Sequence, residues 1–351
     1  MYVLIFKKYL KMLSKNIKKK VALIGGAGFI GHNLAVKLKS RGHSVLVIDN
    51  LAVNNILSFT NQNIKNRSIY WSMLNRRLDL LHKNQIEVNI EDARNYNLMS
   101  VILDKFKPDT IIQLAAVSHA NKSNKDPHTT FDHSLRTLEN TLDIAKNYNT
   151  HVIYFSSSMV YGNFEKDIVD EESKCNPIGI YGTLKYSGEL IVKAYNNVFG
   201  IPYTIVRPSA LYGERCVSRR VGQVFIENAV QGNKININGN GSERLDFTYI
   251  DDLVEGVVLI LENENSKMET FNLTYGKSHS INHMLEILRK CFAKVDITYS
   301  QKDKFTPNRG TLSVDKAREL LGYAPKHHLD SGYKKYIEWY KEFWKSLEKS
   351  S

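Results

Sequence analysis

Short runs of consecutive apolar residues alternate with longer helical stretches over the first two thirds of the chain. Residues 21–24 form a run that ends in glycines, and residues 45–48 one that ends in Asp49. Residues 110–116 follow Pro108, residues 152–155 precede three serines, and residues 203–206 precede Arg207-Pro208. Each run is too short for a helix and lacks the alternation of a half-exposed strand, so each predicts a strand covered on both faces. Between them, residues 33–40, 129–148 and 181–198 read as helices. Strands separated by helices predict βαβ units and an α/β fold built on a doubly wound parallel sheet. Beyond Gly213 glycine, asparagine and charged loops alternate with short helices, which predicts a smaller second α/β domain over 213–351. Stretches near 246–275 are candidates to return to the first domain, at 21–212. The closing stretch 333–347 carries Tyr336, Ile337, Trp339, Tyr340, Phe343 and Trp344, the pattern of an amphipathic helix docked on the body.

The first run continues as Gly25-Gly26-Ala27-Gly28-Phe29-Ile30-Gly31. It satisfies both GxxGxxG and GxGxxG, and it joins a predicted strand to a predicted helix. A tight turn there lets backbone approach a pyrophosphate at the helix N-terminus. Asp49 ends the second strand, where a carboxylate can accept both hydroxyls of an adenosine ribose. It also repels a 2′-phosphate, and Asn50 brings no compensating charge. The pattern predicts a Rossmann domain that binds NAD rather than NADP.

Composition changes this picture little. The 351 residues are 42% hydrophobic and 24% charged, ample for a core, and 20 Gly and 7 Pro without a period exclude collagen-like and low-complexity classes. The net charge of +12 first suggests a polyanionic partner. Seven lysines in residues 1–20, with no acid among them, supply more than half of it. That segment reads as a poorly ordered leader, and Met12 is a second candidate start. With the excess concentrated there, no nucleic acid partner is expected, and since no run of 18 apolar residues occurs, no membrane partner is expected either. Cys175, Cys216 and Cys291 are odd in number and far apart, without metal-ligand spacing, so no metal site and a reducing, cytoplasmic setting are expected.

Tyr181 and Lys185 stand four apart and share one helix face. A tyrosine is a poor base at neutral pH, and a nearby ammonium favours its phenolate. Ser156, Ser157 and Ser158 end the 152–155 strand, at the carboxyl edge where open α/β sheets bind ligands. A hydroxyl there can hydrogen-bond a substrate hydroxyl or a developing oxyanion.

With these motifs in place, residues 21–340 resemble the extended short-chain dehydrogenase/reductases that act on nucleotide sugars. Besides the glycine turn, 47–51, 108–116, Asp126-Pro127, 157–162 and 246–252 resemble segments of that family. The resemblance implies Ser157 as catalytic hydroxyl, Tyr181 as base and Lys185 as its helper. It implies cofactor contacts from Gly25, Gly28, Phe29, Ile30, Gly31, Asp49, Asn50, Asn89, Ile90, Leu114, Ala115, Ala116, Ser134, Tyr181, Lys185 and Pro208. Contacts to the nucleotide sugar are expected from Ser118, Ser158, Arg215, Arg244 and Arg309; His119 is an extra acid/base group, a polar pocket wall or simply an exposed residue. Dehydratases and decarboxylases of the family place a Glu just before V-Y-G, where this chain has Met159, which transfers no proton. That resembles UDP-galactose-type 4-epimerases. The implied reaction is epimerisation at C4 of a UDP-hexose through a 4-keto sugar, with NAD regenerated in each cycle, by a homodimer pairing near 129–148. The rivals are a nucleotide-sugar reductase or dehydrogenase, a dehydratase or an epimerase at another carbon on the same fold, and a non-catalytic NAD- or RNA-binding relative. Departures from the family pattern are Asn89-Ile90 for the adenine-contacting D-I pair, Gln113 for a His, Ala210 for an Asn, and Arg244 one place out of register.

Overall fold

In the computed structural model, which describes residues 18–61, 64–117, 120–301 and 307–348, the apolar runs become strands of one sheet. They are β1 (Lys20–Ile24), β2 (Ser44–Ile48), β4 (Thr110–Gln113), β5 (His151–Phe155) and β6 (Tyr203–Pro208), and two further strands that no apolar run announced join them, β3 (Glu87–Asn89) and β7 (Glu269–Leu273). The order is β7-β6-β5-β4-β1-β2-β3, with every pairing parallel. Most of the lysine leader, with Ser118 and His119, lies outside the described residues.

Both faces of the sheet are covered, which is why its strands read as unbroken apolar runs. Val21 and Leu23 pack toward α1 (Phe29–Ser40) and α2 (Arg67–Lys83). Ala22 and Ile24 pack with α3 (Tyr96–Phe106), α4 (Thr137–Ala145) and α5 (Ile180–Phe199). Each such Leu or Ile contributes about 1.5–3 kcal/mol by leaving water. The predicted helix 129–148 is broken into Pro127–Phe131, a π-turn at Asp132–Arg136, and α4. Thr137 and Thr141 donate their hydroxyls to the carbonyls of His133 and Thr137, a back-bonding that accompanies helix distortion. The apolar side chains of α4 itself face the core, while Phe131 and Tyr148 at the two ends of the predicted stretch stay exposed, as do Tyr96, Leu98 and Val101 of α3 and Leu190, Val198 and Phe199 of α5.

After β6 the chain builds α6 (Val221–Val230), returns to the first layer through α7 (Ile250–Leu261) and β7, then leaves again for α8 (Ile281–Cys291). Lys37 of α1 and Arg41, just after its end, pair with Glu255 of α7 at 3.1 and 2.8 Å. The closing helix α9 (Leu329–Glu348) buries Tyr333, Tyr336, Ile337, Tyr340 and Phe343, the face its sequence pattern predicts. Glu227 of α6 accepts from Tyr70 of α2 at 2.7 Å and from Tyr340 of α9 at 2.8 Å, tying the two parts together. No described helix is long and apolar enough to cross a membrane.

Candidate active site

The carboxyl ends of β1, β4, β5 and β6 open into one cavity that runs from the glycine turn to Arg309. Gly25, Gly28, Phe29, Ile30, Gly31, Asp49, Asn50, Leu114, Ala115, Ala116, Ser157, Tyr181, Lys185, Pro208 and Arg309 line it, as the sequence predicts. The turn is tight. Gly25 has φ +80°, and a Cβ there would sit 2.7 Å from the Ala115 amide nitrogen; one on Gly31 would sit 2.5 Å from the Gly26 Cα. Asp49 holds this turn from below, accepting from the Ala27 amide at 3.0 Å and the Leu51 amide at 2.8 Å. Burial pushes its carboxyl up, opposed by those two amides and by Arg77.

At the other end of the first layer the three serines separate. Ser156 turns into the core and donates to Glu189, itself paired with Arg207 at 2.6 Å. Ser157 lies in the cavity wall beside Tyr181 and caps the 3-10 turn Ser158–Tyr161 by accepting from the Met159 amide at 3.2 Å. Tyr181 and Lys185 lie in the first turns of α5. Gly182 between them faces the 3-10 turn, where a Cβ would stand 2.7 Å from the Met159 carbonyl oxygen. Lys185 donates from Nζ to the Phe155 carbonyl at 2.6 Å. Burial pushes the Tyr181 phenol up, against Arg220 and Ser157, which pull it down. Burial also brings the Lys185 ammonium down to about 8, against the Glu189 charge. Arg309 lines the far end; burial and Arg220 bring its guanidinium down to about 10, and its Nε is buried without a hydrogen-bond partner among the described residues. A cation with a donor to spare fits a phosphate there.

Six sequence-predicted contacts lie elsewhere. Asn89 ends β3 with its amide on Glu87, and Ile90 is 66% exposed. The wall is formed instead by Glu91, Asp92 and Ala93, three residues on, where the carboxylate-apolar pair recurs as Asp92-Ala93. Asp92 is held by Asn50 at 3.1 Å and by Arg94, which keeps its carboxyl well below the usual range. Ser134 is buried inside the π-turn, and His133 of that turn and Thr137 at the start of α4 line the cavity in its place. Ser158 is buried in the 3-10 turn outside the wall. Arg244 lies on an exposed two-residue strand and donates to Ser278 at 3.0 Å, while its neighbour Leu245 takes the inward face beside Arg309. Successive residues of an extended chain face opposite ways, so the one-place shift turned the arginine out. Arg215 points to the back of α1, bonding His32 and Asn33. The Gln113 departure is accommodated: its amide donates to Thr137 at 3.0 Å and accepts from Thr141 at 2.9 Å.

Asn54, Arg77, Asn124, Met159 and Arg220 also line the cavity. Arg220 is legible as one of a cluster with Arg215 and Arg219. Arg77 carries no local motif, since it reaches the site from the middle of a helix.

Residues 21–274 match the model of the NAD dependent epimerase/dehydratase family. The chain is 27% identical to the UDP-glucuronate 4-epimerase of Thermodesulfobacterium geofontis, over 91% of this chain and 95% of that one. Its fold superposes on UDP-glucuronic acid 4-epimerase of Bacillus cereus, solved with UDP-glucuronic acid and NAD, with a TM-score of 0.82 at 26% identity, covering 92% of this chain and 99% of the other. UDP-glucose 4-epimerase of Thermotoga maritima, solved with UDP-glucose, gives a TM-score of 0.80 at 25% identity, with 92% and 99% covered. With the family model spanning the glycine turn, the serine turn and the Tyr–Lys helix, this chain belongs to the NAD-dependent epimerase/dehydratase family.

Proposed function

We propose that the chain inverts C4 of a UDP-linked hexose and keeps its NAD throughout. The observation that carries this is one cavity lined by the glycine cradle, by Ser157, Tyr181 and Lys185, and by Arg309, with Met159 where a proton-transferring carboxylate would favour dehydration. When bound along the glycine turn, NAD supplies the site that takes hydride from C4 and gives it back. Tyr181 takes the proton from the sugar 4-hydroxyl and later returns it. Ser157 hydrogen-bonds the same oxygen as it becomes a carbonyl. Lys185, fixed on the Phe155 carbonyl, holds positive charge near the phenolate. Arg309, assisted by Arg220, takes the diphosphate. The enzyme works as a homodimer that pairs near 129–148, where Phe131 and Tyr148 stay exposed next to the exposed apolar groups of α3 and α5, and the free cysteines fit a reducing cytoplasm.

The test is incubation with UDP-glucose, UDP-glucuronic acid and UDP-N-acetylglucosamine in parallel, with no NAD added. One of them is expected to equilibrate with its C4 epimer without release of NADH. Stoichiometric NADH and no epimer would favour a net oxidoreductase and contradict the proposal.

A further inference from the structure

Two arginines that touch neither Ser157 nor Tyr181 close a ring of contacts around the glycine-turn end of the cavity. Arg77 of α2 is 1% exposed and forms no ion pair among the described residues. A buried guanidinium is costly unless its N–H groups are bonded, and here carbonyls bond them. Nε donates to the Arg215 carbonyl at 3.0 Å, Nη2 reaches the same oxygen, and Nη1 donates to the Asn54 carbonyl at 3.3 Å. Arg77 thereby fastens the segment after β6 to the loop after β2, beside Asp49. Arg215 holds φ +62°, a left-handed backbone that costs a non-glycine residue about 1 kcal/mol or more.

The Arg215 side chain then runs to α1. Nε donates to His32 Nε2 at 3.0 Å and Nη2 to Asn33 Oδ1 at 2.8 Å. Since a guanidinium only donates, His32 Nε2 accepts, so the ring is neutral with its proton on Nδ1, directed at the Gly28 carbonyl 2.8 Å away. Burial and the two guanidiniums hold its pKa well below the usual value, in keeping with that state. Gly28 belongs to the cradle itself. Val217, Ser218 and Arg220, just beyond Arg215, are cavity wall. The segment that walls the cavity is thus bolted to α1 by the side chain of Arg215 and to α2 by its carbonyl.

We propose that Arg215 and Arg77 latch residues 213–220 over the bound dinucleotide, and that Arg215 is a positioning residue that sets how slowly NAD leaves. The latch rests on the dinucleotide reading of the cavity, and it gives a physical basis for a cofactor regenerated in place. Arg215→Ala removes the bolt to α1 and leaves the carbonyl that Arg77 needs; Arg215→Lys keeps charge but cannot span both acceptors. The measurements are NAD retained per chain after gel filtration, the rate of NAD release on dilution, and the kcat and KM for the nucleotide sugar with saturating NAD added. Arg215→Ala is expected to release NAD about tenfold faster, equivalent to ~1.4 kcal/mol, and Arg215→Lys at an intermediate rate, with kcat near the parent's once NAD is saturating. An unchanged release rate with a raised KM for the nucleotide sugar would place Arg215 against substrate and overturn the latch. A parent protein that neither retains nor binds NAD would contradict the dinucleotide reading itself, and the latch with it.

Discussion

At the residue scale, proton transfer is assigned to one side chain. Tyr181→Phe keeps the ring and removes the acid/base group, so turnover should fall by about 10²–10⁴-fold while NAD stays bound; undiminished turnover would refute the assignment. The pH dependence has a definite sign. Burial raises the Tyr181 pKa, and a protonated phenol is not a base, so kcat/KM should rise with pH as Tyr181 ionises. Arg220 pulls that pKa down, so Arg220→Gln should move the rising limb to higher pH. A limb that stays in place would show that the charge is not felt at the phenol. The glycines, Asp49, Tyr181 and Lys185 were legible because a fixed spacing binds each to a local conformation. Ser134, Ser158 and Arg244 were not, because the direction of one side chain depends on a π-turn, a 3-10 turn and a two-residue strand that the apolar pattern does not encode.

At the element scale, α5 carries the chemistry on one face and its support on the next turn. Lys185 and Glu189 lie one turn apart, and Glu189 holds both Ser156 and Arg207. Gly182 lets α5 approach the 3-10 turn. Gly182→Ala adds a Cβ that would lie 2.7 Å from the Met159 carbonyl oxygen. A turn displaced by about 1 Å costs up to about 10²-fold in rate. The expected result is a lower kcat with the cofactor retained; a fully active variant would show that the turn yields at no cost to the placement of Ser157 and Tyr181. Strand β4 and the break before α4 show the limit of periodicity at this scale. The apolar run 110–116 continues past the strand, since Leu114 and Ala115, bonded by their amides to the Ile24 carbonyl, become cavity wall. They are apolar because they face a ligand site rather than a neighbouring strand.

At the scale of the whole molecule, Glu227 joins α2, α6 and α9 through Tyr70 and Tyr340. Glu227→Leu strands two buried phenol hydroxyls, at about 1–3 kcal/mol each. The midpoint of chemical denaturation should drop accordingly, and an unchanged midpoint would mean that both hydroxyls find other partners. The doubly wound parallel class of the sheet was readable, because alternating apolar runs and helices leave few topologies. The parallel pairing of β7 with β6 depends on a long-range return that local pattern only hints at. The net charge of +12 is likewise a matter of distribution: seven lysines stand in the leader, while Arg220 and Arg309 face a cavity sized for a small anionic ligand.

Epimerisation at C4 by this fold requires that hydride leave and return within one cavity. The most direct measurement uses UDP-glucose deuterated at C4, or whichever UDP-sugar proves to be the substrate, with the protein's own cofactor and none added. The epimer should carry its deuterium at C4, with none lost to water and no NADH released. Loss of the label to solvent, or an epimer formed equally well by protein stripped of NAD, would contradict it.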